Sequence, residues 1–202
     1  MDRLIVNGCY QRQDFEHLKA SGVVEFGFDL RSRSENLVIF SELQAIQHSI
    51  TTEISYLIFQ NDRPETVRSF LDLFKKSSKQ LIFTDQLNAN YYDSFATPFY
   101  WTFHPLADWR NIFESTYLRG VIFPMKYRED LQGLPFLWES IDKRQLEVFL
   151  SPETRDELDQ IMHTSSFISL DLNRHWHSSY RHLDLDSLSA LKLRRKNEIT
   201  AF

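Results

Sequence analysis

The sequence predicts a compact (β/α)8 barrel, a TIM barrel, formed as a single domain over residues 1–202. Three observations point there. Short apolar runs alternate with helical patterns eight times along the chain. The runs are continuous rather than alternating, as strands covered on both faces require. No linker, low-complexity tract or shift in composition divides the chain. Strand–helix alternation implies a parallel sheet, and eight units favour a closed barrel over an open doubly wound sheet. With 202 residues, each unit has about 25, so the connections must be short.

The predicted strands are Leu4–Asn7, Val23–Leu30, Ile54–Gln60, Gln80–Thr84, Phe99–Phe103, Gly120–Pro124, Leu146–Leu150 and Phe167–Leu172. The predicted helices are Asp14–Ala20, Ser41–Ser49, Pro64–Lys76, Ala89–Phe95, Ala107–Tyr117, Pro135–Ile141, Pro152–Met162 and Asp186–Lys196. Asp62-Arg63-Pro64-Glu65 and Ser151-Pro152-Glu153 each put a capping residue before a proline of the first turn. The fourth and fifth helices are weakly patterned and are compatible with single turns.

Charge and composition exclude several classes. The formal net charge of -5 is spread along the chain, which leaves no electrostatic footprint for nucleic acid. The one basic cluster, Lys192 to Lys196, falls at the end of the last predicted helix, where cations favour the helix dipole. No run approaches the length of about 20 apolar residues that spans a bilayer, so no membrane partner is expected. Cys9 is the sole cysteine, which rules out a disulfide framework or a cysteine zinc site within one chain. A cytoplasmic monomer or homodimer without a cofactor is the expectation. Glycine is scarce at five residues, and neither G-x-G-x-x-G nor a P-loop occurs.

The opening, LIVNGCYQRQDFEHLKASGVVEFGFDL, resembles that of phosphoribosylanthranilate isomerase, a tryptophan-biosynthesis barrel. Further segments carry the likeness in order along nearly the whole chain. They are Tyr56–Phe59 followed by Gln60-Asn61, Phe136 and Trp138 in LPFLWES, Ser151-Pro152-Glu153, Ile168–Leu172, and Asp184–Leu188. The resemblance implies an Amadori rearrangement without a cofactor. A cysteine ending the first strand is the base, and an aspartic acid ending the sixth is the acid. Glycine-rich loops after the seventh and eighth strands cradle a phosphate, and an arginine follows the second strand.

Those positions are altered here. The cysteine position is Asn7 and the acid position is Pro124. Val148-Phe149-Leu150-Ser151 replaces the glycines after the seventh strand, and Asn173-Arg174-His175 those after the eighth. The arginine position falls on Asn36. An amide takes no proton near neutral pH, and losing a general base or acid costs about 10²–10⁴-fold. Cys9 lies two residues past the lost base, too far for a reaction tolerant of about 1 Å.

Strand ends carry function in such barrels. Asp85, His104 and Asp171 are candidates to compensate for the lost groups. Arg31, Arg33, Lys126, Arg128, Asn173, Arg174 and His175 are candidates to bind a ligand, through forked hydrogen bonds to an anion. His175 and His177, at alternate positions with His182 nearby, could chelate in an extended segment, but no third ligand is evident beyond His104 or Asp171, so no metal is expected. The expected function is an inactive homologue, a pseudoenzyme, that binds a phosphorylated or anionic small molecule or a partner protein. An active isomerase, a related cofactor-free sugar-phosphate enzyme, and an interaction protein with a filled barrel mouth are the alternatives.

Overall fold

The computed structural model describes residues 3–46, 54–74, 78–162, 164–172, 176–179 and 182–184. Eight parallel strands close into a barrel in sequence order. They are β1 (Arg3–Asn7), β2 (Glu25–Asp29), β3 (Ile54–Phe59), β4 (Lys79–Phe83), β5 (Phe99–Thr102), β6 (Leu118–Pro124), β7 (Glu147–Ser151) and β8 (Phe167–Asp171). Closure comes from β1 against β8, with Asn7 opposite Asp171. The expected barrel is therefore the one observed. A small antiparallel pair that the sequence reading missed, β9 (His177–Ser179) with β10 (His182–Leu183), follows.

Helices cover the outside: α1 (Arg12–Ala20), α2 (Phe40–Ile46), α3 (Pro64–Leu73), α4 (Ala89–Asp93), α5 (Trp109–Ile112), α6 (Arg128–Gln132), α7 (Pro135–Arg144) and α8 (Arg155–Ile161). The unit after β6 has a 3₁₀ turn (Met125–Tyr127) and α6 ahead of the expected helix. No periodic apolar face announces so short a helix; only Leu131 on it is buried. The fifth helix, expected over 107–117, is one turn. The predicted eighth helix, 186–196, lies outside the described residues. No helix among them is long and apolar enough to cross a membrane.

Two helix starts differ from expectation. Asp62 does not cap α3; its carboxylate accepts from the Gln60 amide, and Pro64 opens the helix from Arg63. Ser151 and Pro152 precede α8, but Thr154 caps it. The Thr154 hydroxyl accepts from the Glu157 amide, while Glu157 reaches back to the Thr154 amide in a capping box.

Apolar residues divide by strand parity. One set packs between barrel and helices. A smaller set, including Ile5, Tyr56, Ile58, Ile82, Ile122 and Phe149, fills the barrel itself. At its N-terminal end the interior is charged. Arg3 donates from Nε and Nη2 to both Glu25 carboxylate oxygens at 3.0 Å, and pairs with Glu147. Tyr56 donates to Glu25 at 2.7 Å and Tyr100 to Glu147 at 2.6 Å. The guanidinium also lies 5.1 Å from the Phe149 ring centroid. One side chain thus ties β1 to β2, β3 and β7.

Candidate functional site

The C-terminal ends of the strands surround an open cavity of about 340 Å³. Ile58, Ile82 and Ile122 contribute its apolar surface, and polar residues from the strand ends and the following loops ring it. Its size falls within the range of small-molecule sites. Among the described residues, bulky side chains do not fill the mouth. Phe149, in the segment that replaces the glycines, is not part of the cavity wall. It packs inside the barrel, edge-on to Tyr100 and stacked on Phe167.

Asn7 projects into this mouth from the end of β1. Its Nδ2 donates to Ser169 Oγ at 2.8 Å and to Asp171 Oδ1 at 2.7 Å. Its Oδ1 is buried with no hydrogen-bond partner among the described residues. Gly8 turns the chain at once, with φ of +89°, and lies so close to Asn36 that a Cβ would come 2.9 Å from Asn36 Nδ2. Asn36 in turn donates to the Leu172 carbonyl. Both amides thus brace β1 and the β2 loop against β8.

Asp171 is half-buried, and burial raises its carboxyl above the ordinary range. Arg31 and the Asn7 amide pull the other way, while Asp29 and Glu153 add to the rise. Only Oδ1 carries a hydrogen bond among the described residues. Pro124 closes β6 at the cavity wall, where its ring offers no proton.

Of the four candidate cations among the described residues, two line the cavity and two do not. Arg31 lines the cavity but is folded back on Asp29, donating from its own amide at 3.1 Å and from Nε at 2.8 Å. Ser34 completes that clamp, donating to Asp29 Oδ2 at 2.6 Å. Lys126 lines the cavity and pairs with Glu153 at 2.6 Å. Arg33 is exposed and absent from the cavity wall. Arg128 faces a separate apolar pocket between α6, α7 and α8, beside Trp138 and Leu131. Asn173, Arg174 and His175 lie outside the described residues.

The two other proton-transfer candidates also miss the mouth. Asp85 is buried one residue beyond Thr84. Thr84 faces the cavity, so Asp85 turns away from it. There it accepts from the Asn61 amide at 2.7 Å and the Tyr92 hydroxyl at 2.6 Å. Burial raises its carboxyl, against the pull of those bonds. His104 misses it for another reason: it shares the parity of Thr102, which faces the cavity, but lies in the loop beyond the end of β5, edge-on to the Tyr127 ring and accepting from the Leu106 amide. Cys9 is buried away from the mouth, and burial pushes its thiol up. Among the described residues no group of three or more His, Cys, Asp or Glu is arranged to hold a metal.

Sequence reasoning missed Thr102, Ser151 and Ser169 at the mouth, and Glu153 as the partner of Lys126. Parity would have found Ser169, two residues before Asp171 on an inward face.

No protein-family model matches the sequence, and no curated protein matches it. Solved structures do. A phosphoribosyl anthranilate isomerase from Thermus thermophilus superposes with a TM-score of 0.71 at 16% identity, over 97% of this chain and 99% of that one. TrpF from Jonesia denitrificans matches with a TM-score of 0.71 at 11% identity, over the whole of both chains. An HpcH/HpaI aldolase from Desulfitobacterium hafniense matches with a TM-score of 0.58 at 10% identity, over 98% of this chain and 92% of that one. At these identities the likeness is one of fold.

Proposed function

We propose that the chain is an isomerase-like barrel that binds a small metabolite at the mouth without rearranging it. One observation carries this reading. Where the resemblance to phosphoribosylanthranilate isomerase calls for a proton-accepting thiolate, Asn7 presents a carboxamide whose two N–H groups are both committed, to Ser169 and Asp171. The matching acid position is a proline. Two absent proton-transfer groups, at about 10²–10⁴-fold each, leave little rate above background. The open cavity supports binding by a site that has kept its shape.

The test is direct. Purified protein is incubated with N-(5'-phosphoribosyl)anthranilate, and a tryptophan auxotroph lacking the isomerase is transformed with the coding sequence. Neither turnover nor growth is expected. Measurable consumption of the substrate overturns the reading.

A second reading has one observation in its favour. Asp171 faces the cavity with a carboxyl raised by burial, as a general acid–base group needs. A cofactor-free sugar reaction with Asp171 as its single proton carrier would lose at least 10²-fold in Asp171→Asn, by the usual magnitude of about 10²–10⁴.

A further inference from the structure

We infer that the ligand of the barrel mouth is an uncharged polyhydroxylated molecule, a free sugar or sugar alcohol, rather than a phosphate ester. This deepens the proposed function and rests on it.

Charge argues first. Among the described residues, four carboxylates line the cavity (Asp29, Glu35, Glu153 and Asp171) against two cations, Arg31 and Lys126. Each cation is held by one of those carboxylates. Asp29 takes the fork of Arg31 together with the Ser34 hydroxyl, and Glu153 takes Lys126. A phosphate ester, carrying about −1.5 to −2 charges, would have to break one of these ion pairs to reach a cavity-lining cation among the described residues.

Backbone argues second. A phosphate cradle needs convergent amides. At the end of β7 the wall is Ser151-Pro152-Glu153. Pro152 has no N–H, and the Glu153 amide already donates to Glu157 Oε2 at 2.6 Å.

The third argument is what remains available. Thr102 and Ser151 contribute hydroxyls to the wall for which no hydrogen bond is formed among the described residues. Thr84 adds a third, in only a long 3.4 Å contact to the Phe59 carbonyl. Asp171 keeps one carboxyl oxygen without a hydrogen bond among the described residues. Hydroxyls donate and accept alike, and a carboxyl oxygen accepts from a ligand hydroxyl, so the set complements a polyol. The isoleucines supply the apolar surface for the C–H face of such a molecule.

The experiment is a thermal-shift and calorimetric panel on the full chain. Pentoses, hexoses and their alditols are each paired with the corresponding phosphate ester, with inorganic phosphate alone as a further probe. At least one neutral compound is expected to raise the melting temperature and to bind at least tenfold tighter than its ester. Its affinity should change less than twofold between 0.05 and 0.5 M salt. Thr102→Val should weaken it at least tenfold while melting as the wild type does. If Thr102→Val misfolds, Ser151→Ala replaces it with the same expectation. An ester or phosphate that binds tighter than every neutral compound overturns the inference, as does a panel with no neutral binder. Turnover of N-(5'-phosphoribosyl)anthranilate overturns the proposed function instead, so the two failures are distinct.

Discussion

Asn7 and Gly27 face each other across β1 and β2 as register partners, and the side chain of one occupies the space the other leaves empty. A Cβ on Gly27 would lie 1.9 Å from Asn7 Oδ1 and 3.1 Å from the Asn7 Cα. The carboxamide can stand at the barrel mouth only because its neighbour is glycine. The backbone ties the same pair together further, since the Gly8 amide donates to the Gly27 carbonyl at 2.8 Å.

Gly27→Ala is therefore expected to cost about 2–3 kcal/mol in urea denaturation, the scale of overpacking a filled site. Asn7→Ala combined with Gly27→Ala should recover most of that loss, because the nearest clash is with the Asn7 side chain. It should not recover all, because the Asn7 Cα remains close. Additive losses in the double variant would show that the two positions do not share this space.

Asp171→Asn should stabilise the protein at neutral pH by about 1 kcal/mol, or about 2–4 °C in melting temperature. The sign follows from the raised carboxyl. A group that holds its proton more tightly folded than unfolded favours folding at low pH. That contribution is lost as pH climbs from the ordinary carboxylate value, about 3.9, through the raised folded value. The difference between variant and wild type should thus be small near pH 3.5 and grow toward pH 8. A gain that is flat with pH would rule out a desolvated Asp171 carboxylate.

At the other end of the barrel, Arg3→Met should cost about 3 kcal/mol, because it strands Glu25 in the interior and frees Glu147. Arg3→Lys keeps the charge but not the fork, and should cost less. Chemical denaturation of both variants at pH 7 checks the order, and Lys falling below Met would contradict it.

Thr154→Ala should lower stability by about 1 kcal/mol by opening the capping box of α8, whereas Ser151→Ala should leave that helix untouched. A loss in Ser151→Ala with none in Thr154→Ala would mean that the cap lies where the sequence pattern suggested.

Asn7→Cys returns a thiol to the position that the resemblance assigns to the base. No isomerase turnover is expected, because Pro124 still supplies no acid and the β7 loop still supplies no free amide. Turnover above about 10⁻² of an ordinary isomerase, more than the loss of about 10²–10⁴ for one missing acid allows, would show that a second proton donor reaches the cavity.

The eightfold alternation of apolar runs and amphipathic segments was enough to define the barrel, because a strand covered on both faces must be apolar nearly throughout. The altered residues at Asn7 and Pro124 were equally plain, since residue identity alone decides whether a side chain can carry a proton. Three things needed the closed barrel. Glu25 reads as an interruption in an apolar run until β1 brings Arg3 beside it. Asp85 looks catalytic until Thr84 is seen to hold the inward place, and His104 until β5 is seen to end at Thr102. Lys126 looks free until β7 brings Glu153 beside it, whereas the Asp29 partner of Arg31 lies only two residues away. The pairings of Arg3 and Lys126 join segments distant in sequence, and no local pattern encodes them.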